Sequence, residues 1–154
     1  MNSPVSFDHW LGSFRWLQER GIPCIISADL DGLACGLFQQ RYLGWEIKGT
    51  YDGTSLCLND APEAIDWTKV VFLDLEILRG SARCIGNHML AIDRDDTDRL
   101  ASTYPHCANP NLWRRFNAWD SFQRKYLFGT LPLVVAAHLR TNSRLSLDRI
   151  WLAL

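Results

Sequence analysis

The chain has 154 residues, 47% hydrophobic and 21% charged, with a formal net charge of −1. That length fits one domain with a sizeable core, and the composition excludes a disordered, collagenous or disulfide-dense class. A net charge so close to zero excludes a global basic field for nucleic acid, so any such contact has to be local.

The five cysteines, at 24, 35, 57, 84 and 107, form no C-x-x-C pair. Cys24, Cys35 and Cys57 lie among apolar or small residues, as buried free thiols do. An odd count without a framework fits a reducing compartment, and the expected location is the cytoplasm. Asp8 and His9 interrupt the first apolar residues, no Lys or Arg precedes Arg15, and no apolar run reaches spanning length. Neither a signal peptide nor a membrane partner is expected.

In chain order, Phe7, Trp10, Leu11, Phe14 and Leu17 recur at helical spacing and predict an amphipathic helix from Ser6 to Arg20, capped by Ser6 or Asp8 and stopped at Gly21. Cys24-Ile25-Ile26 is too short an apolar run for a helix and follows Gly21 and Pro23, so it reads as a buried strand. Asp29-Leu30-Asp31-Gly32 hands that strand over to a helix from about Leu33 to Tyr42, whose small residues Ala34, Cys35 and Gly36 let it lie close to the sheet. Trp45 to Tyr51 reads as a second strand, Asp52-Gly53 as a turn, and Thr54 to Leu58 as a short hairpin arm. Asn59 to Asp66 is a loop or a single helical turn.

Val70 to Leu73 is a further buried strand ending in Asp74, and Met89 to Ile92 another, ending in Asp93 with Asp95 and Asp96 behind it. A short helix over Ile77 to Ile85 is expected between them, then a turn at Gly86-Asn87. His88, at the start of the later strand, would lie at the opposite end from Asp93 and is set aside as a ligand. Thr97 to Tyr104 reads as one or two helical turns. Leu112 to Phe128 interleaves aromatic and cationic residues, a pattern found both in stacking platforms for single-stranded nucleic acid and, more often, in a helix with its rings in the core. Leu131–Leu139 and Ser146–Leu154 read as closing helices. The apolar end Ile150 to Leu154 reads as a surface for a protein partner or for a missing C-terminal domain.

Three strands side by side would bring Asp29, Asp31, Asp74 and Asp93 to one sheet edge. Ligands bind beyond the carboxyl ends of strands in open α/β sheets. Clustered like charges resist joint ionisation unless a cation neutralises them. Capping a helix explains any one of these residues; together they point to a metal site.

Ser27 to Gly36 resembles motif I of the DHH phosphoesterase superfamily, especially its oligoribonuclease and single-strand exonuclease members. Leu73-Asp74 resembles motif II, and Ile92-Asp93-Arg94-Asp95 falls where the Asp-His-His should stand. Asn109-Pro110 and Tyr126 to Val135 resemble the segment that follows. The resemblance spans Pro23 to Leu139 and implies a parallel α/β domain with two Mn2+ or Mg2+ ions that activate water against a phosphodiester or phosphoanhydride. It makes Asp29, Asp31, Asp74 and Asp93 the catalytic metal ligands.

The departures from the family pattern concern histidine. Motif I usually carries one two or four places before the first Asp, where this chain has Ser27 and Ile25; Arg94 and Asp95 replace both histidines of the third motif. An oxygen-only site still suits Mg2+ or Mn2+. Arg94 is expected to hold a phosphate or pair with the acidic cluster, and Ser27 joins it on the substrate side. Asp148 is a candidate for the fourth-motif Asp.

The expected fold is therefore α/β, a mainly parallel sheet of about five strands flanked by helices, in one domain over 1–154 that can be the N-terminal part of a longer chain without the family's second substrate-binding domain. The expected function is a metal-dependent phosphoesterase acting on short or single-stranded nucleic acid or another phosphate ester. The alternative is a catalytically degenerate module of the same fold, kept for binding or as a scaffold. A third reading rests on Asp29-Leu30-Asp31-Gly32, which also resembles the first motif of haloacid-dehalogenase-type phosphatases, although Leu33 follows where Thr or Val is expected.

Overall fold

The computed structural model describes residues 6–141. Helix α1 (Phe7–Ser13) is capped by Ser6, whose Oγ accepts the His9 N–H at 3.2 Å. It ends about two turns earlier than the periodicity predicts, and a 3-10 turn covers Arg15–Gln18. Residues two apart on an α-helix point to nearly opposite sides. The break at Phe14 lets both Phe14 and Trp16 face the core, where both are buried.

Strand β1 (Pro23–Ser27) is buried along almost its whole length, which explains its unbroken apolar run. Helix α2 (Leu30–Leu43) follows, closed by Gly44 in the left-handed region. Strand β2 (Glu46–Tyr51) lies parallel to β1, and β3 (Leu56–Leu58) returns antiparallel to β2 as the expected hairpin arm. Strand β4 (Val71–Leu73) adds to the other side of β1. It is followed by β5 (Arg83–Ile85), α3 (Arg94–Thr103), β6 (Cys107–Ala108), α4 (Pro110–Trp113) and α5 (Thr130–Thr141). The sheet order is β3-β2-β1-β4-β5-β6, with every pairing parallel except β2–β3. Six strands replace the expected five. Between β1 and β4 the sheet reverses its direction of growth, which opens a crevice beyond their carboxyl ends.

Two expected elements are corrected. The strand beside β4 is Arg83–Ile85, not Met89–Ile92, and no helix forms over 77–85. The 89–92 run is apolar for a different reason: Leu90 and Ala91 pack with Leu78, Leu100 and Leu112 in a small core beneath α3 and α4. The segment 112–128 is not a helix either. After the single turn of α4 it runs irregularly, with a 3-10 turn at Phe122–Arg124. The hydroxyl of buried Ser121 accepts the Asn117 N–H and donates to the Asn117 carbonyl there, in competition with helical hydrogen bonds.

The main core joins α1, β1, α2 and α5 around Trp10, Phe14, Phe38, Trp45, Leu73 and Val134. Cys24, Cys35, Cys84 and Cys107 are buried free thiols, and burial pushes the Cys24 thiol up to about 12. Cys57 is exposed on the edge strand β3, contrary to its apolar setting in the sequence. Among the described residues no helix is long and apolar enough to cross a membrane. The expected helix over 146–154, Asp148 and the apolar C-terminus lie outside the described residues.

Candidate functional site

The carboxyl ends of β1, β4, β5 and β6 meet the N-termini of α2 and α5, and the polar side chains of the molecule gather along that edge. Asp29 is the N-cap of α2. Its Oδ1 accepts the Gly32 N–H at 2.9 Å, and that bond holds its carboxyl below the ordinary value despite some desolvation. Gly32 is obligatory: a Cβ there would lie 2.1 Å from Ser27 Oγ and 2.7 Å from the Ser27 backbone. This close approach seats the first turn of α2 directly on the end of β1.

Asp31, in the same turn, reaches across to α5, where it accepts the Thr130 N–H at 2.5 Å and the Leu131 N–H at 3.0 Å. Its charge thus faces the positive end of a helix dipole. Asp74 leaves β4 with a backbone φ of 57°, in a region Asp tolerates better than most residues. It is 5% exposed, with the Thr130 hydroxyl donating to Oδ1 at 2.5 Å, and burial raises its carboxyl above the ordinary value.

Ser27 bridges the first and last of these. Its Oγ lies 2.8 Å from Asp29 Oδ1 and 2.9 Å from Asp74 Oδ2. A hydroxyl has one proton and cannot donate to both. Asp29 is lowered and Asp74 raised, so Asp74 is the carboxyl of the pair that takes up a proton first as pH falls.

A second network continues the edge. Glu76, only 6% exposed in its side chain, accepts the His88 backbone N–H and Asn109 Nδ2 on Oε1, each at 2.9 Å. Its Oε2 lies 2.7 Å from His88 Nδ1. This hydrogen bond raises the imidazole to about 9, so His88 is a fixed cation at neutral pH while its ring remains largely exposed. The Glu76 carboxylate fills the space beside Gly86, where a Cβ would lie 2.2 Å from Oε1. Asn109 caps α4 through Oδ1 and also donates to the His88 carbonyl. Asn111 donates to the Asn87 carbonyl and accepts the Tyr126 N–H, and Asn87 Nδ2 donates to the Phe128 carbonyl.

The structure therefore brings together Ser27, Asp29, Asp31 and Asp74, and leaves Asp93 and Arg94 outside the network. Asp93 caps α3 by accepting the Asp96 N–H at 2.9 Å, and it approaches from a loop rather than a strand. Arg94 is exposed and makes no hydrogen bond or ion pair with the acidic residues. Glu76, His88, Asn109, Asn111 and Thr130 were not foreseen as site residues. Because β5 ends at Ile85, His88 lies just past the carboxyl end of a strand, whereas a strand over 89–92 had put it at the far edge.

A Mn2+ or Mg2+ centre needs several oxygen lone pairs aimed at one point. Each oxygen of Asp31 and of Asp74 has one hydrogen-bond partner, and Asp29 Oδ1 has two. Among the described residues no three His, Cys, Asp or Glu side chains are grouped to hold an ion. The residues in this arrangement do not fit a two-ion centre. Comparisons with protein-family models, curated proteins and solved structures return no match.

Proposed function

We propose that this chain is a phosphoesterase-like domain of the DHH type that binds the phosphodiester of short or single-stranded nucleic acid without efficient hydrolysis. The observation that carries this reading is the engagement of Asp31 by two N–H groups of α5 and of Asp74 by the hydroxyls of Ser27 and Thr130, which leaves fewer oxygen lone pairs for an ion. On the same edge His88 offers a cation fixed by Glu76, a suitable partner for a phosphate oxygen. Asp29 and Asp31 are each balanced by a helix N-terminus, which softens their repulsion of an anion.

The DHH resemblance is carried by Ser27 to Gly36 and Leu73-Asp74. His88 follows the end of β5, and the Glu76 carboxylate that holds it occupies the space beside Gly86. The buried free cysteines fit a reducing compartment such as the cytoplasm.

A second reading, hydrolysis with Mn2+ or Mg2+, draws on the convergence of three carboxylates at the switch point between β1 and β4 and on the lone pairs their oxygens keep beside the existing hydrogen bonds.

The test combines anisotropy with a fluorescent 5′-phosphorylated dinucleotide and a turnover assay in manganese. Binding that His88→Ala weakens about tenfold, with no turnover above an Asp29→Ala control, supports the proposal. Rapid turnover abolished by Asp29→Ala favours the second reading, and absence of dinucleotide binding overturns both.

A further inference from the structure

The segment from Trp113 to Phe128 holds four cations (Arg114, Arg115, Arg124, Lys125) and one acid (Asp120), a net charge of +3 in a chain whose total is −1. It is also where the aromatic rings face outward. Trp119 is 77% exposed, Phe128 66% and Phe122 53%. Exposed rings in such number on one segment are not the scattered apolar surface common to soluble chains.

The segment is built rather than loose. Its backbone bonds the 91–92 stretch through Ala118 N–H to Ala91 O at 2.9 Å and Trp119 N–H to Ile92 O at 3.1 Å. Asn117 and Ser121 are buried and staple the turn that carries Trp119. Tyr126 is held by Asn111, and Phe128 by Asn87, the neighbour of His88. The cations lie against the rings: Lys125 Nζ is 4.7 Å from the centroid of Phe122, and the Arg124 guanidinium is 5.5 Å from that of Phe116.

We propose that this segment is a stacking platform for single-stranded nucleic acid. Bases lie on Trp119, Phe122 and Phe128, while Arg124 and Lys125 meet the phosphates. Every base has a π-face, so such a platform accepts many sequences, and the adjoining cations follow the backbone. Charge complementarity selects this occupant: Arg115 is paired with Asp98 at 3.3 Å, and the remaining local +2 on an otherwise acidic chain suits a polyanion with exposed aromatic faces. The proposal rests on the reading that the strand edge takes the phosphodiester, and Phe128 joins the two surfaces through Asn87.

The experiment measures anisotropy of the full chain with a fluorescent twelve-residue oligothymidylate, its duplex and an abasic strand of equal length. Single strand is expected to bind at least tenfold more tightly than the other two. Trp119→Ala and Phe122→Ala are each expected to weaken it about fivefold or more, the lower end of the stacking range. Arg124→Ala should reduce the slope of log K against log salt by about 0.7. These side chains are exposed, and circular dichroism checks that each variant melts as the wild type does.

Equal affinity for the abasic strand, no effect of Trp119→Ala and Phe122→Ala, or no binding of the oligomer overturns the platform. Dinucleotide binding that survives these substitutions keeps the strand-edge reading when the platform fails. Oligomer binding lost in Trp119→Ala without any dinucleotide binding leaves the platform standing and removes the strand-edge reading.

Discussion

His88 Nδ1 lies 2.7 Å from Glu76 Oε2, so an exposed imidazole is fastened to a carboxylate that is itself almost wholly buried. Glu76 also accepts the His88 backbone N–H and an Asn109 N–H, leaving the carboxylate little freedom to turn away. The hydrogen bond to Glu76 raises the imidazole from 6.5 to about 9. A group raised in the folded state stabilises fully below its unfolded value and loses that contribution as pH rises through the folded value. The pair therefore supports the fold below pH 6.5, and its contribution fades as pH passes about 9. NMR titration of the His88 ring should give a midpoint near that value, and Glu76→Gln should return it toward about 6.5. An unshifted midpoint in the unmodified protein would remove the fixed cation from the site.

Asp74 separates two states of the acidic cluster. When protonated, the Asp74 carboxyl can donate to Ser27 and accept from Thr130, and asparagine, whose amide can do both, mimics that state. Asp74→Asn is accordingly expected to match or exceed the unmodified protein in urea stability at neutral pH. Asp74→Ala leaves the Thr130 hydroxyl unpaired and Ser27 with Asp29 alone, and should cost about 1–3 kcal/mol. Because burial raises the Asp74 carboxyl, its contribution is complete below the ordinary carboxylate value and falls as pH rises through the folded one. The asparagine variant should lose that pH dependence. A large neutral-pH destabilisation by Asn would mean that the carboxyl is charged.

At Gly32 the prediction is steric. A methyl group would meet the Ser27 backbone N and O, both at 2.7 Å, and backbone cannot swing aside as a side chain can. Gly32→Ala should displace α2 from β1 and lower stability by about 1–3 kcal/mol, the usual range for overpacking. Differential scanning calorimetry gives the answer directly, and an unchanged melting temperature would show that the helix start sits farther from the strand.

Arg94 tests the discarded placement of the third motif. It is exposed on the first turn of α3 and contacts none of Asp29, Asp31 and Asp74, so Arg94→His is expected to leave manganese affinity unchanged in a calorimetric titration. An increase of tenfold or more would return Asp93 and its neighbours to the site.

The strands that bracket the crevice were readable because they are buried on both faces. Val71–Leu73 and Cys24–Ile26 are apolar without alternation, and in each case an Asp follows at or just beyond the end. The third strand was hidden because Arg83-Cys84-Ile85 begins with a charged residue and is only three residues long, while the longer run at 89–92 belongs to a satellite core. That displacement is why Asp93 was expected beside Asp29 and Asp74, and His88 at the opposite edge. Glu76 had no signal of its own: its role comes from Asn109 and His88, which are 33 and 12 residues away. The aromatic segment was readable in composition but not in orientation, because rings repeating at these intervals face inward on a helix and the local Asn117–Ser121 bonds prevent one from forming.

Thr130 donates its backbone N–H to Asp31, 99 residues earlier, and its hydroxyl to Asp74, 56 residues earlier. This tie makes the site depend on a segment synthesised late in the chain. Contacts so distant in sequence form only after the intervening chain has been ordered. On a growing chain Asp29, Asp31 and Asp74 would all emerge before α5, as three hydrated carboxylates without their final donors. Their mutual repulsion opposes early consolidation of the β1–β4 edge. Docking of the α5 N-terminus relieves it, supplying two N–H groups and a hydroxyl at once. The arrival of one late helix thus converts an open acidic rim into a neutralised pocket, and the time at which the chain can first receive an anion is set by synthesis of its final third.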